Sequence, residues 1–553
     1  MQTKEIWACL SSSLASSLLS LHPNDLAASN FQTPASWLPW WDWAGMPDDH
    51  PPWLTLLQYY NMRSNGQIEF RGQGGTVLDS LPLPDFDLIP KELLRLIDAI
   101  CELQLDRLPH SIADAWETCP SLSGRTHGMS PKKEHESKRM VSCISNTLGC
   151  DELRDVRHVV DVGSGQGYLS RGLQDLGLHV LALDFNEVQT TGAQRWQSKE
   201  EKRRNKRDPK DAIGQLRQDS DGILHKDIQE ADLGHHDRNV AQSCQGSLTH
   251  WTTHITPETL NFTINSWLEQ SSHHIPSHSQ LHISAHDAVP VLLVALHACG
   301  SLTLNVVRTF LSKYISGSDG QSNWTPRALV IVGCCYNLMS AGDFPLSRAL
   351  RGENGRVRLS LAHLQLAAQV PSQWLRDDKA YDDCQLAIKK VVYRALLQIV
   401  LQRNRDQGFR NSSEVDGALD DPGLQGIGET IQNRRLGKLN NAAYRDWQTF
   451  VTHALKKMDV KDDELGQIQI SVDERRGLEQ RLSVLHVLRC LLGPLIESLI
   501  ILDRYDWLRE SLAEAKAKGR ASMKAELSNI FDQRTGSARN IAIVIRPEQG
   551  CGS

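Results

Sequence analysis

At 553 residues the chain is long for a single hydrophobic core, so two or three structural units are expected. Hydrophobic residues at 40% and charged residues at 23% exclude wholesale disorder and fit a globular enzyme. A net charge of -6, from 60 Lys and Arg against 66 Asp and Glu, excludes the global positive field of a typical nucleic-acid binder.

Residues 1–128 read as a helical N-terminal cap. Ile6 to Leu21 is apolar, but Glu5 and the serines around it suit an amphipathic helix better than a signal peptide. Trp37, Trp40, Trp41, Trp43 and Trp53 are expected to pack in a core rather than stack on bases, and helical spacing returns from Pro90 to Leu103. Ser130-Pro131 then supplies a capping residue and a proline at the first helical position, followed by Lys132-Lys133-Glu134-His135-Glu136. Residues 129–197 form the first half of an α/β core. A β-branched strand, Val156 to Val162, leads into a glycine turn, a helix from Tyr168 to Leu176 and a second strand from His179 to Asp184.

Residues 198–280 are polar and are expected to be a largely disordered insertion. Its basic run, Lys199, Lys202, Arg203, Arg204, Lys206, Arg207 and Lys210, reads first as a solvated linker and second as an RNA contact or nuclear-import signal. Residues 281–400 carry the second half of the core, with strands at Pro290 to Leu296 and Ala328 to Gly333. A further polar insertion covers 401–435, and 436–553 form a helical elaboration ending in a strand, Arg539 to Arg546. Leu482 to Leu502 is interrupted by His486, Arg489, Pro494 and Glu497, so it reads as a buried helix and no membrane partner is expected. Twelve cysteines without a compact framework of spacings suit reduced thiols and a cytoplasmic or nuclear setting.

The turn Asp161-Val162-Gly163-Ser164-Gly165-Gln166-Gly167 decides the ligand class. A dinucleotide site needs G-x-G-x-x-G, and neither Tyr168 nor Ser170 supplies the third glycine. A P-loop needs a lysine that this turn lacks. Gly163, Gly165 and Gly167 instead let the backbone pass close to a ligand without phosphates, and S-adenosylmethionine is such a ligand. Asp184 at the end of the second strand is placed to accept from ribose hydroxyls, and Asp161 either to face the methionine amino group, directly or through water, or to cap the turn for structural reasons, with Ser164 between the glycines. The predicted fold is therefore a Rossmann-like class I methyltransferase core, a mostly parallel sheet with a final antiparallel edge strand.

Ligands of such sheets bind beyond the carboxyl ends of the strands, which makes His297, Cys299, Cys335, Tyr336 and Asn337 the acceptor-pocket candidates. His297 suits a general base and either cysteine a covalent nucleophile toward a pyrimidine. His297 with Cys299, Cys334 and Cys335 could also hold zinc, but the spacing is not Cys-x-x-Cys and no metal site is assigned. Equally, buried cysteines can simply pack where two strands end.

Four blocks resemble the methyltransferase-like protein 25 family, which includes a relative named for a ribosomal RNA adenine dimethylase domain. They are Lys132 to Glu136, Val159 to Arg171, Leu296-His297-Ala298-Cys299-Gly300, and Gly333-Cys334-Cys335-Tyr336-Asn337 with Phe344-Pro345-Leu346-Ser347. Leu495 to Arg504 and Ser537 to Ile545 extend the likeness, although Ala538 stands where a proline is expected. The resemblance implies a methyltransferase using S-adenosylmethionine and a role for Lys133 near the methionine end or the acceptor entrance. It leaves the acceptor open. The caps and insertions suggest a macromolecule, protein or RNA, and the oligomeric state is not readable. His297 to Gly300 replace the Asn/Asp-Pro-Pro-aromatic turn of adenine-nitrogen methyltransferases, which disfavours base-amine methylation. A leucine-histidine-x-cysteine-glycine turn and a double cysteine also occur in a transfer-RNA ribose methyltransferase family, which keeps ribose or pyrimidine methylation open. A methyltransferase-fold scaffold without turnover is the alternative from another class.

Overall fold

The computed structural model describes residues 2–21, 37, 51–64, 85–119, 122, 129–214, 246–272, 288–316, 323–352, 357–413, 436–459, 470–533 and 537–548, with backbone alone at 200, 201, 203–214 and 404–413. The chain divides into two compact units, Met1–Leu105 with Ala349–Leu502, and Asp106–Arg348 with Asp503–Ser553. This differs from the expected boundaries. The N-terminal cap ends at Leu105 and shares one unit with residues 349–502. The helix Pro52–Ser64 buries Trp53, Leu54, Leu56, Leu57 and Tyr60. It packs on Val472–Leu491, which packs in turn on the long helix Asp378–Ser413.

Trp37 is fully buried with its indole N–H donating to Glu92, and Trp53 stacks on Tyr381, so both tryptophans are core residues as expected. Trp40, Trp41 and Trp43 lie outside the described residues. The N-terminal apolar segment forms two helices, Gln2–Leu10 and Ser13–Ser20, separated where Ser12 caps the second. The apolar stretch from Leu482 likewise breaks, at Gly493, where a Cβ would sit 2.3 Å from the Leu366 carbonyl oxygen. Taken across that break, the helical run Val472–Ala517 is long and apolar enough to cross a membrane by length and composition, and 94% of its apolar window is buried in the protein.

Among the described residues the second unit holds a seven-stranded sheet in the order β3-β2-β1-β4-β5-β7-β6. Its strands are β1 (His158–Val162), β2 (His179–Asp184), β3 (Leu248–Thr252), β4 (Val289–Cys299), β5 (Trp324–Cys334), β6 (Met523–Asn529) and β7 (Ile541–Pro547). The first five are parallel, and β7 runs antiparallel to β5 and β6. The last strand is antiparallel as the sequence suggests, but it is inserted between β5 and β6, and β6 is the edge. Both faces are covered, which explains the near-continuous apolar reading of the central strands.

Alternate residues separate the two faces. Val160, Leu181, Leu293 and Ile331 face a cluster built with α4 (Pro257–Ser272) and α5 (Leu302–Ser316). Val159, Val180, Leu292 and Val330 face α1 (Pro131–Leu148) and α2 (Tyr168–Asp175). The expected insertion at 198–280 contains part of this core. Glu187–Gly214 is helical (α3), and β3 and α4 fall inside the polar stretch. An outer strand reading Leu-Thr-His-Trp-Thr carries too little apolar pattern to stand out. Of the basic run, Lys199 and Lys202 are exposed, and the side chains of Arg203, Arg204, Lys206, Arg207 and Lys210 lie outside the described residues. Likewise α-helix extends through 401–413 of the expected insertion at 401–435, and 414–435 lie outside the described residues.

Candidate active site

The turn after β1 is held by β2. The N–H groups of Gly163 and Ser164 both donate to the Leu183 carbonyl, at 2.8 and 2.9 Å. Gly163, Gly165 and Gly167 have φ of 79°, 53° and 70°, conformations that cost a side-chain-bearing residue of order 1–2 kcal/mol. A Cβ on Gly165 would meet nothing among the described residues within 4 Å, whereas one on Gly167 would lie 2.9 Å from His250 Cε1.

Asp161 is buried at the floor of this turn and accepts from Ser170 Oγ at 2.6 Å. Burial pushes its carboxyl up to about 7, the Ser170 hydroxyl opposing this and the charge of Asp184 adding to it. Asp184 uses one oxygen to accept from Gly165 N–H at 2.9 Å and the other from Asn186 N–H at 2.8 Å. It therefore braces the turn, while each oxygen keeps a further lone pair. Phe185 beside it is 75% exposed.

Helix α1 faces the turn from the other side. Ser130 caps it by accepting from Lys133 N–H, and Pro131 opens its first turn. A cavity of about 290 Å³ lies between α1, the turn and the end of β4, near the lower end of the ~300–1,000 Å³ usual for small-molecule sites. It is lined by Ser130, Lys132, Lys133, Glu136, Asp161, Gly163, Ser164, Gly165, Tyr168 and His297, among others.

Glu136 is the residue that the sequence does not single out. It is 2% exposed, one oxygen lies 3.0 Å from His297 Nε2, and the other lies 3.8 Å from Lys132 and has no hydrogen-bond partner among the described residues. Burial alone would raise its carboxyl, but the hydrogen bond and charge of His297, with help from Ser537 and Lys132, hold it below the usual range. The pair exists because β4 is irregular. Its register with β5 shifts between Ala295 and Ala298, and His297 takes φ 65°. That bulge turns Leu296 and His297 out of the ladder and into the cavity.

Beyond the bulge, β4 and β5 end side by side, with Cys299 opposite Cys334 and their sulfurs 3.2 Å apart. Cys335 has φ 47°, and the three thiols lie within 4.8 Å of one another. Hydrogen bonds with Cys334 and Cys335 hold the Cys299 thiol well below the usual range, against its burial, whereas the hydrogen bond with Cys299 and burial push Cys334 far up. Tyr336 is 1% exposed, with the guanidiniums of Arg504 and Arg539 at 5.7 and 5.6 Å from its ring.

The structure thus brings Lys133, Asp161, Gly163, Ser164, Gly165 and His297 around one cavity. Gly167 caps α2, and Asp184 stands behind the turn. Cys299, Cys335, Tyr336 and Asn337 do not line it. Tyr336 is buried, Asn337 is exposed, and the cysteines form their own cluster. Three resemblance blocks acquire physical reasons here. Asp503 is buried and accepts from Leu346 N–H, Ser347 N–H and Ser347 Oγ at 2.7–2.9 Å. Ser537 reaches Glu136, and His135 accepts from Asp532 N–H. Gly300, at φ 54°, leaves room for the Leu338 carbonyl, 2.4 Å from where a Cβ would be.

Comparison with known proteins agrees with this geometry. A family model described as "Methyltransferase domain" matches residues 132–342, which begin at α1 and run past the double cysteine. The chain is 24% identical over 477 residues to "Probable methyltransferase-like protein 25" of Homo sapiens, covering 69% of this chain and 70% of the relative. It is 23% identical over 468 residues to the protein of the same name from Mus musculus, with 69% and 70% covered. No solved structure matches the chain significantly. With its sheet order and glycine turn, residues 132–342 belong to a Rossmann-like methyltransferase domain, and the chain is similar to methyltransferase-like protein 25.

Proposed function

We propose that the chain is an S-adenosylmethionine-dependent methyltransferase acting on a macromolecular acceptor, protein or RNA, in the cytoplasm or nucleus. The observation that carries the cofactor is the pairing of two buried carboxylates, Asp161 and Glu136, with an open glycine turn on one cavity. That donor set fits a cationic ligand. Asp161 at about 7 and the unpartnered oxygen of Glu136 both gain from an ammonium or sulfonium, and Lys132, Lys133 and Ser130 at the rim suit its carboxylate. Asp184 keeps lone pairs for ribose hydroxyls, and Phe185 offers an exposed ring face to the adenine. When bound, S-adenosylmethionine supplies an electrophilic methyl group.

The chain's own contribution to chemistry centres on His297. With Glu136 accepting from Nε2, Nδ1 is the ring nitrogen of His297 left to take a proton from the acceptor. Glu136 fixes that arrangement and stabilises the imidazolium formed when Nδ1 takes the acceptor's proton. Calorimetric titration of S-adenosylmethionine and its demethylated product tests the cofactor. One site is expected, weakened at least tenfold by Gly165→Val, which puts a side chain in the open cradle at a positive φ. A folded protein that binds neither compound refutes the proposal.

A further inference from the structure

The three thiols at the ends of β4 and β5 are not absorbed by the methyl-transfer reading, and their geometry needs a cause. Parallel register sets Cys299 beside Cys334. Successive residues of a strand point to opposite faces, so Cys335 should turn away from Cys334. Instead the backbone enters the left-handed region at Cys335, φ 47°, and all three sulfurs meet within 4.8 Å. Small apolar packing does not require this, since a left-handed residue bearing a side chain costs of order 1–3 kcal/mol. Cys334 is buried and the other two are half-buried, so the cluster is partly accessible.

We propose that Cys299, Cys334 and Cys335 form a binding site for a thiophilic divalent cation, zinc, with a fourth coordination position left open. Zinc–sulfur bonds of ~2.3 Å in a tetrahedron place the sulfurs ~3.8 Å apart, and the thiols already lie within about an ångström of that spacing. Binding replaces three thiol protons, which pass to solvent, by one metal ion. Three thiolates and Zn²⁺ leave one negative charge, and buried guanidiniums stand close by to balance it. Arg504 is 2% exposed with an Nε that has no hydrogen-bond partner among the described residues, and Arg539 acts electrostatically on Cys335. An open fourth position is the arrangement of catalytic rather than structural zinc. The site lies at the carboxyl ends of the strands, where ligands of such sheets bind.

The full chain, reduced and stripped with a chelator, is titrated with zinc chloride against a chromophoric competitor and separately with cobalt chloride. One equivalent of zinc is expected, and cobalt should give ultraviolet thiolate-to-metal charge-transfer absorption. Loss of an outer partner already weakens metal sites ~10–100-fold, so Cys299→Ser and Cys335→Ser should each cost at least ~100-fold in zinc affinity, with Cys101→Ser unchanged. No zinc bound by the folded, reduced wild type, or cobalt bound without the thiolate band, overturns the proposal independently of how the variants fold. Unchanged affinity in both cluster variants overturns it as well.

Discussion

Replacing Asp161 by asparagine should stabilise the ligand-free protein, and by an amount that depends on pH. The Asp161 side chain is buried, and its carboxyl is raised from an ordinary 3.8 to about 7. A rise of that size corresponds to about 4 kcal/mol of preference for the neutral form. Because the folded-state value is the higher one, the folded protein holds this proton more tightly than the unfolded chain does. The wild type therefore loses stability relative to Asp161→Asn as pH rises from about 4 to about 7, and the difference is constant above that. Asparagine can still accept from Ser170, and the other titrating groups cancel between the two proteins. Urea unfolding followed by tryptophan fluorescence at pH 5 and pH 8 should show the gap widening by about 3 kcal/mol, gained between pH 5 and about 7. A gap that does not move with pH refutes the assignment of Asp161 as a strained buried acid. The same substitution should weaken S-adenosylmethionine at least tenfold, so that stability rises where binding falls.

His297→Ala should lower kcat by about 10²–10⁴-fold while leaving the donor dissociation constant within a few-fold, measured with an identified acceptor under saturating donor. In the reduced, metal-free protein Cys299 should alkylate with iodoacetamide at pH 7 several-fold faster than Cys335, read by peptide mass spectrometry. The reason is that neighbouring thiols lower the first and burial raises the second. Asp503→Ala strands two N–H groups and a hydroxyl and should cost at least about 3 kcal/mol in urea unfolding, against a smaller loss for Asp503→Asn.

Much of the sheet unit is legible in the sequence because its central strands are buried on both faces. Apolar runs bounded by glycines place β2 at His179–Asp184 and bring β1, β4, β5 and β7 within a few residues of their observed positions. The outer strands escape the same reading. β3 and β6 alternate polar residues, and a polar composition such as that of residues 198–280 does not distinguish them from a linker. The division into units is also hidden, since it depends on which helices share a core across several hundred residues. Within the site, the glycine spacing announces Gly163, Gly165 and Gly167, and the ends of β4 and β5 announce His297 and the cysteines. Glu136 is invisible because Lys132 at i−4 makes it look like half of an exposed ion pair. Only the bulge at His297, which periodicity does not encode, turns that carboxylate into the buried wall of the cavity.

Transfer of a labelled methyl group from S-adenosylmethionine into a cell extract lacking the native protein is the most direct test of methyl transfer. The account predicts label in a discrete macromolecular fraction, removed by either protease or ribonuclease, and abolished by Gly165→Val and His297→Ala. Incorporation no greater than with the Gly165→Val protein, from a sample shown to be folded, would contradict it.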